Sequence, residues 1–131
     1  MISQTIKNRL EKAGKRYWAG DNISEYINDD EKLKLIEELT SKFEGVLDSL
    51  VIDRYTDPNS MDTPRRLAKM YINEIMGGRY DKAPKVTAFP NVDPDTRYGG
   101  IIVTRAELIS MCSHHHQPVK GVAYIGLLAG V

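Results

Sequence analysis

The chain has 131 residues, 41% of them hydrophobic and 27% charged, which fits one folded domain with one core and excludes a disordered or fibrous chain. Eighteen basic residues balance eighteen acidic ones, so no global field attracts nucleic acid or an anionic membrane, and an anionic ligand needs a local site. No apolar run reaches the roughly 20 residues of a membrane span, the N-terminus lacks a signal-peptide core, and the cytoplasm is the expected compartment.

Residues 3–18 read as a helix docking on the core, with Ile6, Leu10 and Ala13 on one face and Tyr17 and Trp18 closing it before Gly20. From about Asp29 to Leu50, the residues Leu35, Ile36, Leu39, Phe43, Val46, Leu47 and Leu50 recur at steps of three and four. That spacing predicts a long amphipathic helix packing by one apolar stripe. A loop with Asp57-Pro58-Asn59-Ser60 follows. "DTPRRLAKMYINEIMGG" then has an N-cap candidate, a proline in the first turn, apolar Leu67, Met70, Tyr71 and Ile75, and a glycine pair as a stop. Pro84, Pro90, Pro94 and Gly99-Gly100 predict a surface connection without helix over residues 79–100. "GGIIVTRAELISM" and "VKGVAYIGLLAGV" read as two strands, so the fold class is α+β and residues 1–131 form a single domain. Within it, residues 1–56 are a helical region and residues 57–131 a helix plus the first strands. Two strands alone are marginal in water, so further strands are expected from other chains or from residues after Val131.

Between the strands lies "CSHHH", which holds the chain's single cysteine and all three of its histidines. A lone cysteine forms no intramolecular disulfide, and beside histidines it suits metal ligation or nucleophilic chemistry. Cys112 and His115, three residues apart in a turn, can reach one ion, and a sulfur–nitrogen pair favours zinc over calcium or magnesium. Zinc needs a third protein ligand, which could be His116, a partner chain or a residue after Val131. His114, adjacent to that pair, is placed for proton transfer. On spacing alone the cluster equally admits polar loop histidines with Cys112 as a small buried side chain. A cysteine-nucleophile hydrolase ranks lower, because the turn offers no carboxylate to orient a histidine base. Upstream, Arg66 and Lys69 share a helix face near a helix start, where cations and free amides suit phosphate. A solvated basic face is the other reading.

"SMCSHHHQPVKGVAYIG" resembles the zinc signature of the GTP cyclohydrolase I family, usually Cys-Glu-His-His before a turn and an apolar strand. "DTPRRLAKMYINEIMGG" resembles its Thr-Pro-x-Arg-x-Ala-x-x-Tyr helix. The resemblance covers most of residues 30–131. It implies a tunnelling fold, in which antiparallel sheets of several subunits close into a barrel, and a toroidal homodecamer. It implies a zinc-dependent hydrolase that converts GTP and water to formate and 7,8-dihydroneopterin triphosphate, zinc-activated water attacking C8 of the guanine. Matched residue by residue, Cys112 and His115 are its zinc ligands, His114 its catalytic histidine and Arg66 its triphosphate contact, with Lys69 a lesser candidate. Ser113 departs from the usual glutamate, and His116 stands where the family usually has an apolar residue. The third zinc ligand, a second active-site histidine, a guanine-holding glutamate and a basic triphosphate segment are expected after Val131, in a longer polypeptide. The alternative is a non-catalytic member of the same fold that binds a purine or pterin, or modulates an oligomer.

Overall fold

A computed structural model describes residues 1–88, Pro90 and residues 98–128. The chain divides into two compact units, Met1–Lys82 and Ala83–Val131.

The first unit is helical. Helix α1 spans Ile2–Lys12 and buries Ile6 and Leu10. It stops well short of Trp18, because Gly14 adopts the left-handed conformation at φ 62. There the Gly14 amide donates to Glu11 O at 3.0 Å and the Lys15 amide to Leu10 O at 2.9 Å. These two bonds are the Schellman closure, which satisfies the last carbonyls and turns the chain away. Ala13 is therefore an exposed cap residue rather than part of the buried face. At the other end of α1, the Ser3 amide donates to the Glu38 carboxylate at 3.0 Å, so Glu38 supplies the cap that Met1 lacks.

Helix α2 spans Asp29–Ser49, as its periodicity predicts, and starts at a complete capping box between Asn28 and Glu31. Its stripe is buried at Ile36 and Leu47 and half-buried at Leu35, Leu39 and Phe43, while Val46 and Leu50 stay exposed. Helix α3, Thr63–Lys69, widens into a π-helical segment, Met70–Ile75, and is followed by a short turn of helix, α4, Gly77–Tyr80. The glycine pair thus opens α4 instead of ending the run, and Arg79 and Tyr80 are helical. Asp62 gives no side-chain cap, so Pro64, not a capping bond, marks the start of α3. The deepest residues of this face are Ala68 and Ile72, four apart. They pack with Ile36, while Leu67, Met70, Tyr71 and Ile75 are only half-buried.

Two apolar clusters result, Ile6–Leu10–Ile23–Ile27 and Ile36–Ala68–Ile72, and Leu35 and Tyr80 pack against both. Arg79 ties the loop after α1 to this core by donating to the carbonyls of Trp18 at 2.6 Å and Asp21 at 2.8 Å. The Asn22 amide does the same toward Gly78 O and Asp81 O, at 2.7 and 2.8 Å. Three-dimensional pairings of this kind leave no periodic trace in a sequence.

The second unit is an antiparallel ribbon of β1, Ile101–Met111, and β2, Pro118–Leu128, in register from Ile101↔Leu128 to Met111↔Pro118. Side chains alternate between its faces. One face carries Ile102, Thr104, Ala106, Leu108 and Ser110 against Leu127, Ile125, Ala123, Gly121 and Val119, without a single charge. The other carries Arg105, Glu107 and Lys120 among its apolar residues. Lys82 to Ala88 and Pro90 have no helix or strand, as the prolines predict, and Pro94 lies outside the described residues.

Candidate functional site

Cys112 leaves β1 and Gln117 enters β2, and two backbone bonds close the turn between them. The Cys112 amide donates to Gln117 O and the His116 amide to Cys112 O, both at 2.9 Å. His116 takes the left-handed conformation, φ 53. Cys112 therefore stands where an N-cap residue stands ahead of one turn of helix, a position from which a side chain can accept the free amides of that turn. The backbone amides of His115, first, and of His114 hold the thiol below its ordinary range, against an opposing effect of burial. A thiolate-favouring cysteine is what a metal ligand requires.

The Cys112 Sγ lies 3.8 Å from Nδ1 of His114. Two donors on one tetrahedral zinc, with sulfur at about 2.3 Å and nitrogen at about 2.0–2.1 Å, stand roughly 3.6 Å apart. In donor type the turn suits zinc, and in separation it is the Cys112–His114 pair that does so. The ring placed 3.8 Å from the sulfur is that of His114, whereas the family motif gives the ligand role to His115, whose ring centroid is 6.5 Å from that of His114. All three histidines and Ser113 are exposed. Among the described residues no three His, Cys, Asp or Glu side chains are arranged so that they could hold a metal ion together, so the turn is a partial ligand set.

Arg66 and Lys69 lie in the first unit, exposed on α3. The Arg66 guanidinium sits 3.6 Å from Asp62 across one helical turn, with both side chains more than two-thirds exposed. Such a pair is weak and readily exchanged for a better anion.

The GTP cyclohydrolase I family model matches residues 35–130. The chain belongs to the GTP cyclohydrolase I family. Helices followed by an antiparallel ribbon are the α+β arrangement of that family's tunnelling fold. The match contains Arg66, Lys69 and the whole Cys112–His116 cluster, and leaves out α1. The chain is 35% identical over 105 residues to the GTP cyclohydrolase 1 of Flavobacterium johnsoniae, covering 79% of this chain and 44% of that protein. It is 32% identical over 107 residues to the enzyme so named from Aeromonas salmonicida, covering 81% and 46%. With that of Vibrio vulnificus it shares 32% over 127 residues, covering 94% and 54%. The chain thus spans about half the length of the curated relatives it matches. No helix among the described residues is long and apolar enough to cross a membrane.

Sequence reasoning located the turn but not its inner order. The amides on Cys112 and the left-handed residue that closes the turn are backbone features. The one sequence signal for them is the length of the connection between two strands in register.

Proposed function

We propose that this chain is part of a zinc-dependent GTP cyclohydrolase I that hydrolyses GTP to formate and 7,8-dihydroneopterin triphosphate. The observation that carries the reading is the turn after β1, which holds the chain's single cysteine and all three histidines in one closed connection within a family-matched segment. On this reading Cys112 and His115 hold the zinc, and the remaining donor comes from outside the described residues. A bound zinc supplies Lewis acidity toward water, easing loss of its proton near neutral pH. Cys112 binds as the thiolate that the turn amides favour. His114, exposed beside it, accepts and returns protons at the reacting purine. Ser113 brings no carboxylate, so the charge the family's glutamate supplies there is missing. Arg66, released from Asp62, takes the triphosphate, with Lys69 beside it. Assembly as a homo-oligomer is supported by the uncharged face of the ribbon, which one chain's strands leave exposed.

Formate release from GTP by the purified protein, measured after chelation and again after zinc is restored, tests this directly. Cys112→Ser and His115→Ala are expected to lose zinc and formate release together. His114→Ala is expected to keep zinc and lose turnover by about 100-fold or more. Formate release from metal-free protein would sink the zinc reading. Loss of zinc in His114→Ala with retention in His115→Ala would exchange the two histidines' roles. A second reading, a purine- or pterin-binding member without turnover, is favoured by the two-donor set in the described residues. It predicts GTP binding with no formate.

A further inference from the structure

Only two non-glycine residues among those described have left-handed backbone, and one of them, His116, lies in the metal turn. Its place there is specific. The His116 amide completes the turn by donating to Cys112 O, and one residue later Gln117 O already accepts from the Cys112 amide in the ladder direction. The chain must therefore pass from a right-handed turn to extended strand within a single residue. A left-handed residue does this, as it does at the end of a helix. Without it, either the Cys112–Gln117 closure opens or the Met111↔Pro118 register slips. In both cases Cys112 loses the backbone bonds that hold its Sγ 3.8 Å from Nδ1 of His114.

We propose that His116 is a positioning residue for the metal turn: its left-handed backbone keeps the turn closed at both ends of Cys112 and so holds the sulfur beside the histidine ring for zinc. The inference rests on the zinc reading above and extends it to a residue that the family motif leaves without a role. Histidine enters left-handed backbone more readily than most residues, whereas β-branched residues are strained there. A residue's tolerance of that conformation is thus what the turn requires at this position.

The test compares wild type with His116→Gly, His116→Asn, His116→Ala and His116→Val in the intact protein. Cobalt(II) is the probe, read by its affinity and by the sulfur-to-cobalt absorption band, with the unfolding midpoint of the chelated protein measured alongside. Glycine and asparagine, which accept the conformation, are expected to keep the wild-type affinity within about twofold and to keep the band. Valine is expected to bind roughly tenfold more weakly with a diminished band, and alanine to fall between. If the valine variant fails to fold, alanine against glycine decides. A purely structural role for His116 would lower the midpoint of the chelated valine variant and leave cobalt affinity and band untouched, which overturns the proposal. Equal losses in glycine, asparagine and valine overturn it too, by assigning the effect to the imidazole. A wild-type protein that binds no cobalt sinks the zinc reading itself and removes the role with it; metal-binding wild type with indifferent variants sinks only the role of His116.

Discussion

Val51, the other non-glycine residue with left-handed backbone, stands at φ 60 just past α2, with its side chain 92% exposed. Its amide donates to Asp48 O and that of Ile52 to Leu47 O, both at 3.1 Å, the same closure that Gly14 gives α1. The closure is sound but the residue is wrong for it, since a β-branched side chain meets its own backbone at positive φ. Exposed as it is, Val51 gains little from packing that would offset the strain. Val51→Gly is therefore expected to stabilise the protein by about 1 kcal/mol, read as a higher midpoint in urea with an unchanged slope. A lower midpoint would mean that the valine packs in the assembled protein. Arg66 is a second single-residue case. Its guanidinium lies 3.6 Å from Asp62 in a highly exposed pair, too weak to fix it. If Arg66 takes the triphosphate, Arg66→Ala should raise KM for GTP about tenfold or more and leave that for guanosine nearly unchanged. An equal effect on both would remove it from the site. Arg66 and Cys112 were visible in the sequence because their chemistry is carried by residue type. His116 was visible only as a neighbour, because its contribution is a backbone angle.

Among the elements, α2 was the most legible, since Asn28, three acidic residues and a stripe of apolar positions all specify the same start and face. The extent of α1 was misread because Tyr17 and Trp18 continue the apolar pattern past Gly14, and a left-handed glycine ends a helix whatever follows it. The glycine pair after α3 misled in the opposite direction, because the Asn22 amide holds the Gly78 and Asp81 carbonyls and keeps α4 folded. The start of α2 also carries the clearest pH dependence. Glu31 accepts from Arg9 at 2.7 and 2.9 Å and pairs with the Asn28 amide at 3.1 Å. Chiefly the Arg9 bonds, with burial opposing and the Asn28 amide assisting, hold its carboxyl at about 2 instead of the ordinary 4.5. A folded-state value below the unfolded one makes this stabilisation fully present above about pH 4.5, and it is lost as the pH falls toward about 2. Glu31→Gln is expected to flatten the decline of the urea midpoint across that window, and an undiminished slope would assign acid sensitivity to other carboxylates. Asn28→Ala, which removes only the cap acceptor, is expected to cost about 1 kcal/mol at neutral pH.

At the scale of the molecule, the contrast between the two units is one of cover. The helical unit buries Ile6, Leu10, Ile36, Ala68 and Ile72 among its own elements, whereas Ile102, Leu108, Ile125 and Leu127 of the ribbon are exposed. An isolated two-stranded ribbon is marginal in water, and this one presents an entire face without a charge, so its stability in the working protein depends on what covers that face. The register makes this testable, because one substitution can be placed on each face at nearly the same height. Leu108, on the uncharged face, pairs with Gly121, while Val122 on the other face pairs with Glu107. Leu108→Lys would bury an unpaired ammonium wherever that face is covered, a cost that breaks an interface or unfolds the ribbon. Val122→Lys sets a cation directly across from a carboxylate, a pairing that sheets tolerate or favour by a few tenths of a kcal/mol, roughly. Sedimentation analysis is expected to show Leu108→Lys dissociating the proposed homo-oligomer or shifting it to smaller species, and Val122→Lys leaving it intact. If both variants keep the wild-type mass and midpoint, the uncharged face is open to solvent in the assembled protein and the case for oligomer assembly through it fails. If Val122→Lys is the one that dissociates, the charged face is the covered one, and Arg105, Glu107 and Lys120 must then be paired across the interface.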